Sequence, residues 1–452
     1  MGLLVSLTSA VTRLLSVQCQ RPAIIPETEL PAMISPALKL SSIESTPKFL
    51  PALRASYFPS LSFTSRTSKP AFLSSPMRAE CFSIKALSRS IERAVGRGSV
   101  KVMTAIIGST LVFQSRKTYI TIVRENNQKL LFVVIMMIVS IGEVLIDFIA
   151  LQEGKLKDVK SFEKHPGGAP ANVAVGLSRL GVEGALVSKV GEDPFGDFLL
   201  ERLHDEGVKT YVSRDAEKHT GVVFVQLIGA KPEFILYDGV AYFNLKPWDV
   251  ETTPLENAEA VHFGTVLFAR EPSRSTLFGI LEELKGRVPL SYDVNIRPDL
   301  WRGREEEMLR NIERALQLAD IVKLGDGELE YLRNNGISLD EFDFKLLAVT
   351  SGEKGSELTS GDAKVHIPAY RVEPVDTTGA GDAFTAALLA GLHYSNLLGE
   401  DSIDEEHLRK IGRFANLVAA ISTTRRGAWS VPKMEEIVQM KEVRELYQRS
   451  RR

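Results

Sequence analysis

From Met137 onward the chain alternates short apolar runs with amphipathic ones, and that alternation leaves few architectures open. Residues 138–141, 185–190, 260–263, 290–294, 321–323 and 346–350 read as buried strands. Between them, 171–180, 195–206, 273–285, 305–318 and 328–334 carry helical spacing, the first two closed by Gly181 and Gly207. Strands that are apolar on both sides belong in a sheet covered on both faces. Strand–helix–strand succession makes neighbouring strands parallel. An α/β fold with a mainly parallel central sheet is therefore expected. Two segments, 148–162 and 220–242, break the rhythm and read as strand pairs. Their alternation is clearest at Val222, Phe224 and Gln226 and at Phe234 and Leu236.

The chemistry is concentrated in Asp376-Thr377-Thr378-Gly379-Ala380-Gly381-Asp382-Ala383-Phe384. This string follows an extended stretch, 365–375, and opens an apolar run, 384–392, so its glycines stand where a helix begins. A helix start leaves backbone N–H groups without partners and carries positive dipole charge. Glycines let an anion approach that backbone closely. A phosphate fits there, with Asp382 beside it as a candidate base. Read as four residues alone, the turn is equally well a helix cap. No GxxxxGK[ST] string occurs, so a phosphate site of that type is excluded.

The nonapeptide resembles the C-terminal signature of the ribokinase-like (pfkB) carbohydrate kinases. The other half of that family's pattern stands about two hundred residues earlier, as Gly167-Gly168-Ala169-Pro170-Ala171-Asn172-Val173-Ala174. Gly176, Leu180-Gly181 and Gly191-Glu192-Asp193-Pro194-Phe195-Gly196 follow it. The resemblance covers about 137–446. It implies a three-layer α/β sandwich with a small β-sheet lid over a sugar, the lid being 148–162 and 220–242. It implies ATP as phosphoryl donor, Mg²⁺ bridging the phosphates, and in some members K⁺. Lids of this kind exclude water, which competes as phosphoryl acceptor.

Residue by residue, the resemblance makes Asp382 the general base. The N–H groups of Gly379, Ala380 and Gly381 become the anion hole. Asp147, at the end of the first strand, is expected to bind sugar hydroxyls, together with Gly167, Gly168, Asn172, the lid residue Tyr237, and Arg297 of Asp293-Val294-Asn295-Ile296-Arg297. On the nucleotide side stand Lys323, Glu328, the turn Thr350-Ser351-Gly352-Glu353-Lys354-Gly355, and Asn416 near the adenine. Glu328 would also reach Mg²⁺ through water. Asp376, Thr378 and Gly427 correspond to the monovalent-cation loop. Two departures stand out. The Asn of the family's NxxE element is Gly325 here. Tyr237 is followed by Asp238, where fructokinases and ketodeoxygluconate kinases usually have Arg. An acid there disfavours an anionic sugar. The opening GEVLIDF, GGAPANVA and the string around Glu328 look most like fructokinases, so fructose is expected first, 2-keto-3-deoxygluconate second, ribose or a nucleoside third. A non-catalytic kinase-like scaffold is the rival from another class, and the intact Asp382 argues against it.

Charge is distributed unevenly. Residues 1–124 carry 16 Lys and Arg against 5 Asp and Glu, whereas 125–452 carry 39 against 52. The acidic balance of the second part argues against nucleic acid as its partner. Both cysteines, Cys19 and Cys81, lie in the basic part, so no disulfide framework is available beyond it. The apolar stretch 130–139 is too short to span a bilayer, and no membrane partner is expected. Residues 1–136, rich in Ser and Pro, suit an organelle transit segment, a disordered tail, or upstream sequence read from an early start. The early start is favoured, because Met136-Met137 stand where an archaeal-type kinase of the family would begin. A cytoplasmic location follows from it, an organelle from the transit reading. Residues 447–452 form a basic tail. The apolar Phe224, Phe234 and Leu236 suit a homodimer through lid strands. A chain beginning at Met137 is expected to match the full chain in thermal midpoint and turnover. A large loss of either would show that 1–136 belong to the fold.

Overall fold

The computed structural model describes residues 137–228 and 231–447, together with strands at 105–107, 110–114, 119–125 and 129–135. The chain divides into two units, Met1–Val134 and Ile135–Arg452. In the first, β1 (Ala105–Ile107), β2 (Thr110–Gln114), β3 (Tyr119–Glu125) and β4 (Lys129–Ile135) form one sheet in sequence order. These strands lie within the stretch 1–136 that suits a transit segment, a disordered tail or an early start. YITIVRE and KLLFVVI are rich in β-branched residues, which suit strands whatever the surrounding composition. The remainder of that leader and the tail beyond Tyr447 lie outside the described residues.

In the second unit a nine-stranded sheet has the order β17-β16-β15-β14-β13-β12-β5-β8-β9. Here β5 is Met137–Ile141, β8 Glu183–Gly191, β9 Lys209–Asp215, β12 Ala260–Gly264 and β13 Leu290–Asp293. β14 is Ile321–Gly325, β15 Leu346–Thr350, β16 Ser356–Ser360 and β17 Ala363–Ile367. The run from β15 to β9 is parallel throughout, and β16 alone runs the other way, antiparallel to both β15 and β17. β5 has all five residues buried: Ile138 joins one apolar layer, while Val139 and Ile141 join the other. On the first face lie α1 (Ala169–Arg179), α6 (Ala380–Ser395) and α7 (Glu405–Thr423). On the second lie α3 (Ser273–Leu284) and α4 (Glu305–Leu318). α2 (Pro194–Asp205) and α5 (Asp326–Asn334) complete the connections. The fold is the expected three-layer sandwich.

Sheet growth reverses direction between β5 and β12, since β8 and β9 extend one side and β12 to β17 the other. Open α/β sheets bind ligands at such a switch point, outside the carboxyl ends of the strands. Ile141, Gly264, Asp293 and Gly325 end their strands there.

The lid is a four-stranded sheet, order β11-β10-β6-β7, from β6 (Leu145–Ala150), β7 (Phe162–Gly167), β10 (Gly221–Ile228) and β11 (Lys231–Leu236). Its first strand pair begins at Leu145 and ends at Gly167, wider than 148–162, and 151–161 is the connection. Asp147 is therefore not the end of the first strand. β5 stops at Ile141, and Asp147 is the third residue of β6, paired with His165. The register of β10 and β11 opposes Phe224 to Ile235 and Val223 to Leu236. Because side chains alternate between faces, Leu236 lies on the buried face with Val223 and Phe224 on the other. Phe224 and Leu236, two of the apolar residues that suit a homodimer through lid strands, thus lie on opposite faces. The side chain of Phe234 lies outside the described residues.

Candidate active site

Gly379 adopts φ +76° and is the N-cap of α6, so Ala380, Gly381 and Asp382 form its first turn. A Cβ on Gly379 would stand 2.9 Å from the backbone of Ala428, and one on Gly381 would stand 3.0 Å from the Lys323 ammonium. Gly379 is therefore required by its backbone angle and by close packing, whereas at Gly381 the neighbour is the end of the Lys323 side chain. The Ala380 N–H donates to the Thr377 carbonyl at 3.2 Å. Of the three N–H groups expected to form the anion hole, that of Ala380 is thus bonded within the turn preceding the helix. Gly381 and Asp382 hold the N–H groups that a helix start directs outward.

Asp382 is buried, at 8% exposure. Burial, and next the charge of Asp293, push its carboxyl up to about 6, while the Asn172 hydrogen bond, Lys323 and Arg297 oppose them. Asn172 Nδ2 donates to Asp382 Oδ2 at 2.7 Å, and Asn172 Oδ1 accepts from Trp429 Nε1 at 2.8 Å. Lys323 Nζ lies 3.2 and 3.1 Å from the two oxygens of Asp293, whose Oδ2 also accepts from Thr385 Oγ1 at 3.3 Å. Burial opposes the Lys323 charge, but Asp293, Glu328 and Asp382 outweigh it and raise the ammonium above its ordinary value. Lys323, expected among the nucleotide ligands, thus sits under the helix start that carries Asp382.

Facing this turn is a second acidic group. Glu143 and Asp147 are each pushed by burial up to about 7, with Arg297 opposing and Asp382 adding to the rise. Glu143 Oε1 accepts from the Ala169 N–H at 3.0 Å, tying the lid entry to the Gly167–Gly168 turn. Gly168 has φ +102°, and a Cβ there would stand 2.5 Å from the Glu143 carbonyl oxygen. A Cβ on Gly167 would meet Asp147 Oδ2 at 2.1 Å. The structure therefore brings together Asp382, Asn172, Asp147, Gly167, Gly168 and Arg297, as expected. It adds Glu143, Asp293 and Trp429, which carried no motif signal of their own.

Several expected nucleotide and cation residues hold their surroundings rather than presenting open polar atoms. Asn416 accepts from Ser356 Oγ at 3.0 Å and donates to the carbonyls of Ile367 and Pro368 at 3.0 and 3.2 Å. It fixes the exit of β17. Glu328 accepts from the N–H groups of Ile296 at 2.6 Å and Gly325 at 2.8 Å, boxing the start of α5. Thr350 ends β15; Gly352 and Gly355 carry φ +53° and +101°, and a Cβ on Gly355 would overlap the Ile367 carbonyl oxygen. Asp376 accepts from Thr378 and Gly427 N–H groups, each at 2.9 Å; burial raises its pKa, but those bonds prevail and lower it. The carboxylate of the expected cation loop is thus a brace.

Tyr237 is 51% exposed and meets Phe224 edge-on at 6.1 Å. Asp238 pairs with Arg270 at 2.8 Å. The lid acid therefore does not stand as an uncompensated charge, which corrects the argument from repulsion alone. A groove of about 460 Å³ lined by Asp320, Phe342 and Lys345 opens at the amino ends of β13 and β14, away from every motif above.

A glycine-opened helix with a buried carboxylate in its first turn, under a β lid at the switch point of a parallel sheet, defines a phosphoryl-transferring sugar kinase fold. The pfkB family carbohydrate kinase pattern matches residues 136–434. The chain belongs to that family and is a carbohydrate kinase. An uncharacterized sugar kinase of Pyrococcus horikoshii is 53% identical over 311 residues, covering 69% of this chain and 97% of that one. Its structure in complex with ATP has a TM-score of 0.64 over 68% of this chain and 99% of that chain. Fructokinase-1 of Oryza sativa subsp. japonica is 38% identical, covering 68% of this chain and 98% of that one. A Vibrio cholerae fructokinase in its fructose, ADP and calcium ion bound form is 30% identical, with a TM-score of 0.57 over 66% of this chain and 96% of that chain.

Proposed function

We propose that this protein transfers the γ-phosphoryl group of ATP to the hydroxymethyl group of fructose. The observation that supports the reaction is Asp382: buried, in the first turn of α6, beside outward N–H groups and opposite Asp147 and Arg297. The carboxylate accepts the proton of the attacking hydroxyl. The helix start stabilises the charge that develops on the phosphoryl group. Asp147 and Asn172 orient the sugar. Among the described residues no three His, Cys, Asp or Glu side chains converge as a metal cage. A magnesium ion would be carried on the nucleotide phosphates, with Glu328, whose two oxygens each already accept a backbone N–H, as the residue expected to meet it through water. A monovalent ion would be held by the loop that contains Asp376, Thr378 and Gly427.

Fructose is favoured by the 38% identity to a plant fructokinase and by the Asp238–Arg270 pair, which takes up the lid cation a sugar acid would need. 2-Keto-3-deoxygluconate is the second reading, and Arg270 is its supporting residue. Coupled ADP release across fructose, the keto-deoxy acid, ribose and a nucleoside tests both. Fructose is expected to give the highest kcat/KM. Asp238→Ala is expected to raise the acid's share by roughly tenfold, the worth of one charge contact of about 1.4 kcal/mol. Preference of the unaltered enzyme for the acid would overturn fructose but not the kinase, whereas no turnover with any sugar would favour a non-catalytic scaffold.

A further inference from the structure

We infer that Trp429 is a positioning residue for the transfer step: its indole N–H fixes the amide of Asn172, and through it selects which oxygen of Asp382 meets the acceptor hydroxyl. The inference rests on the reading of Asp382 as base. Trp429 Nε1 donates to Asn172 Oδ1 at 2.8 Å, and Asn172 Nδ2 donates to Asp382 Oδ2 at 2.7 Å. The three side chains are 8%, 6% and 8% exposed, so water cannot substitute freely for any link.

A carboxamide by itself fits either way round. An indole N–H is a donor only, so the amide oxygen must face it and the amide nitrogen must face the carboxylate. The flipped amide would set its oxygen against Asp382 and its NH₂ against the indole N–H, losing two buried hydrogen bonds at once. Trp429 therefore removes the ambiguity. With Oδ2 held by Asn172, Oδ1 is the oxygen left for the proton of the sugar. A hydrogen bond donated to a carboxylate also favours its ionised form.

The relay is assembled from three distant parts of the chain. Asn172 lies on α1, Asp382 opens α6, and Trp429 follows Gly427. The charged groups that act with Asp382 are Asp293 and Lys323 from the sheet, Arg297 from the loop after β13, and Glu143 and Asp147 at the lid entry. Trp429 carries no charge. Replacing it changes the direction of one donor and leaves that charge set in place. The bland role is packing, because Trp429 shares an apolar cluster with Val144, Ala171 and Val175. Phenylalanine preserves most of that packing and removes only the donor.

The test compares Trp429→Phe with the unaltered full chain. The expected result is a roughly tenfold fall in kcat, sugar KM within about threefold, and an acid limb of the kcat profile moved upward by about half a pH unit or more. A packing role predicts an unmoved acid limb. Because that variant could fold poorly, the second measurement uses the unaltered protein. The indole ¹H–¹⁵N resonance of Trp429, assigned by its loss in Trp429→Phe, is expected to titrate with the midpoint of the acid limb. Asp382→Asn should abolish that titration. An indole signal unresponsive to pH, or an unmoved acid limb in folded Trp429→Phe, overturns the relay. Full activity in Asp382→Asn with the titration lost would sink the base assignment while leaving the relay standing.

Discussion

Asp382→Asn is expected to lower kcat by about 10²–10⁴, with sugar KM within about threefold. The substitution keeps the shape and the acceptor for Asn172 Nδ2, and removes the group that takes the proton. In the unaltered enzyme the carboxyl must be ionised to act. Burial and Asp293 push it up to about 6, so kcat/KM is expected to rise with pH through that value and to fall on its acid side. A variant retaining most of its kcat would overturn the assignment. Stability moves the other way. A raised carboxyl contributes stability below its unfolded value, and that contribution is lost as pH rises through about 6. The Asn variant escapes the loss. It is therefore expected to be about 1–3 kcal/mol more stable than the ligand-free enzyme at pH 8, with the difference shrinking by pH 5, as read by urea unfolding.

Lys323→Met is expected to cost about 3–5 kcal/mol of folding stability. It would leave Asp293, which is 1% exposed, with a buried charge and, among the described residues, the Thr385 hydroxyl at 3.3 Å as its side-chain partner. The double variant Lys323→Met with Asp293→Leu removes both charges, and most of the loss should be recovered. Chemical denaturation of the two single variants and the double gives the coupling directly. Additive losses would show that the pair is not the connection under α6. Since Asp293 raises the Asp382 carboxyl and Lys323 lowers it, the Lys323→Met enzyme should also show its acid limb at higher pH.

The glycines of the two motifs were legible in the sequence because their requirement is local. A chain turning into a helix with φ +76° at Gly379, or +102° at Gly168, needs a residue without a Cβ in any context. Asp382 was legible for the same reason, one turn later. Asn172 was found as a polar residue near the sugar, but its two buried partners were not. Nothing in a string of residues says that a tryptophan 257 positions later will meet its amide. Glu143 and Asp293 were visible only inside longer motifs. Their roles come from burial, which moves carboxyl equilibria and is a property of the packed molecule.

The lid shows the same division. The sequence determined that strands lie in these segments, because β-branched and aromatic residues alternate there. It did not determine their pairing. Whether Phe224 faces Ile235 or its neighbour is a matter of the register between β10 and β11, and a one-residue change of register moves every side chain to the opposite face. The parallel core, by contrast, followed from the sequence alone: strands apolar on both sides, separated by amphipathic helices, can bury both faces only as the middle layer of three. Tertiary structure alone decided which carboxylates converge at the switch point, which of them a cation compensates, and that Arg270 answers Asp238 across 32 residues. Periodicity is encoded locally, whereas electrostatics depends on distance and burial, which exist only once the chain has closed upon itself.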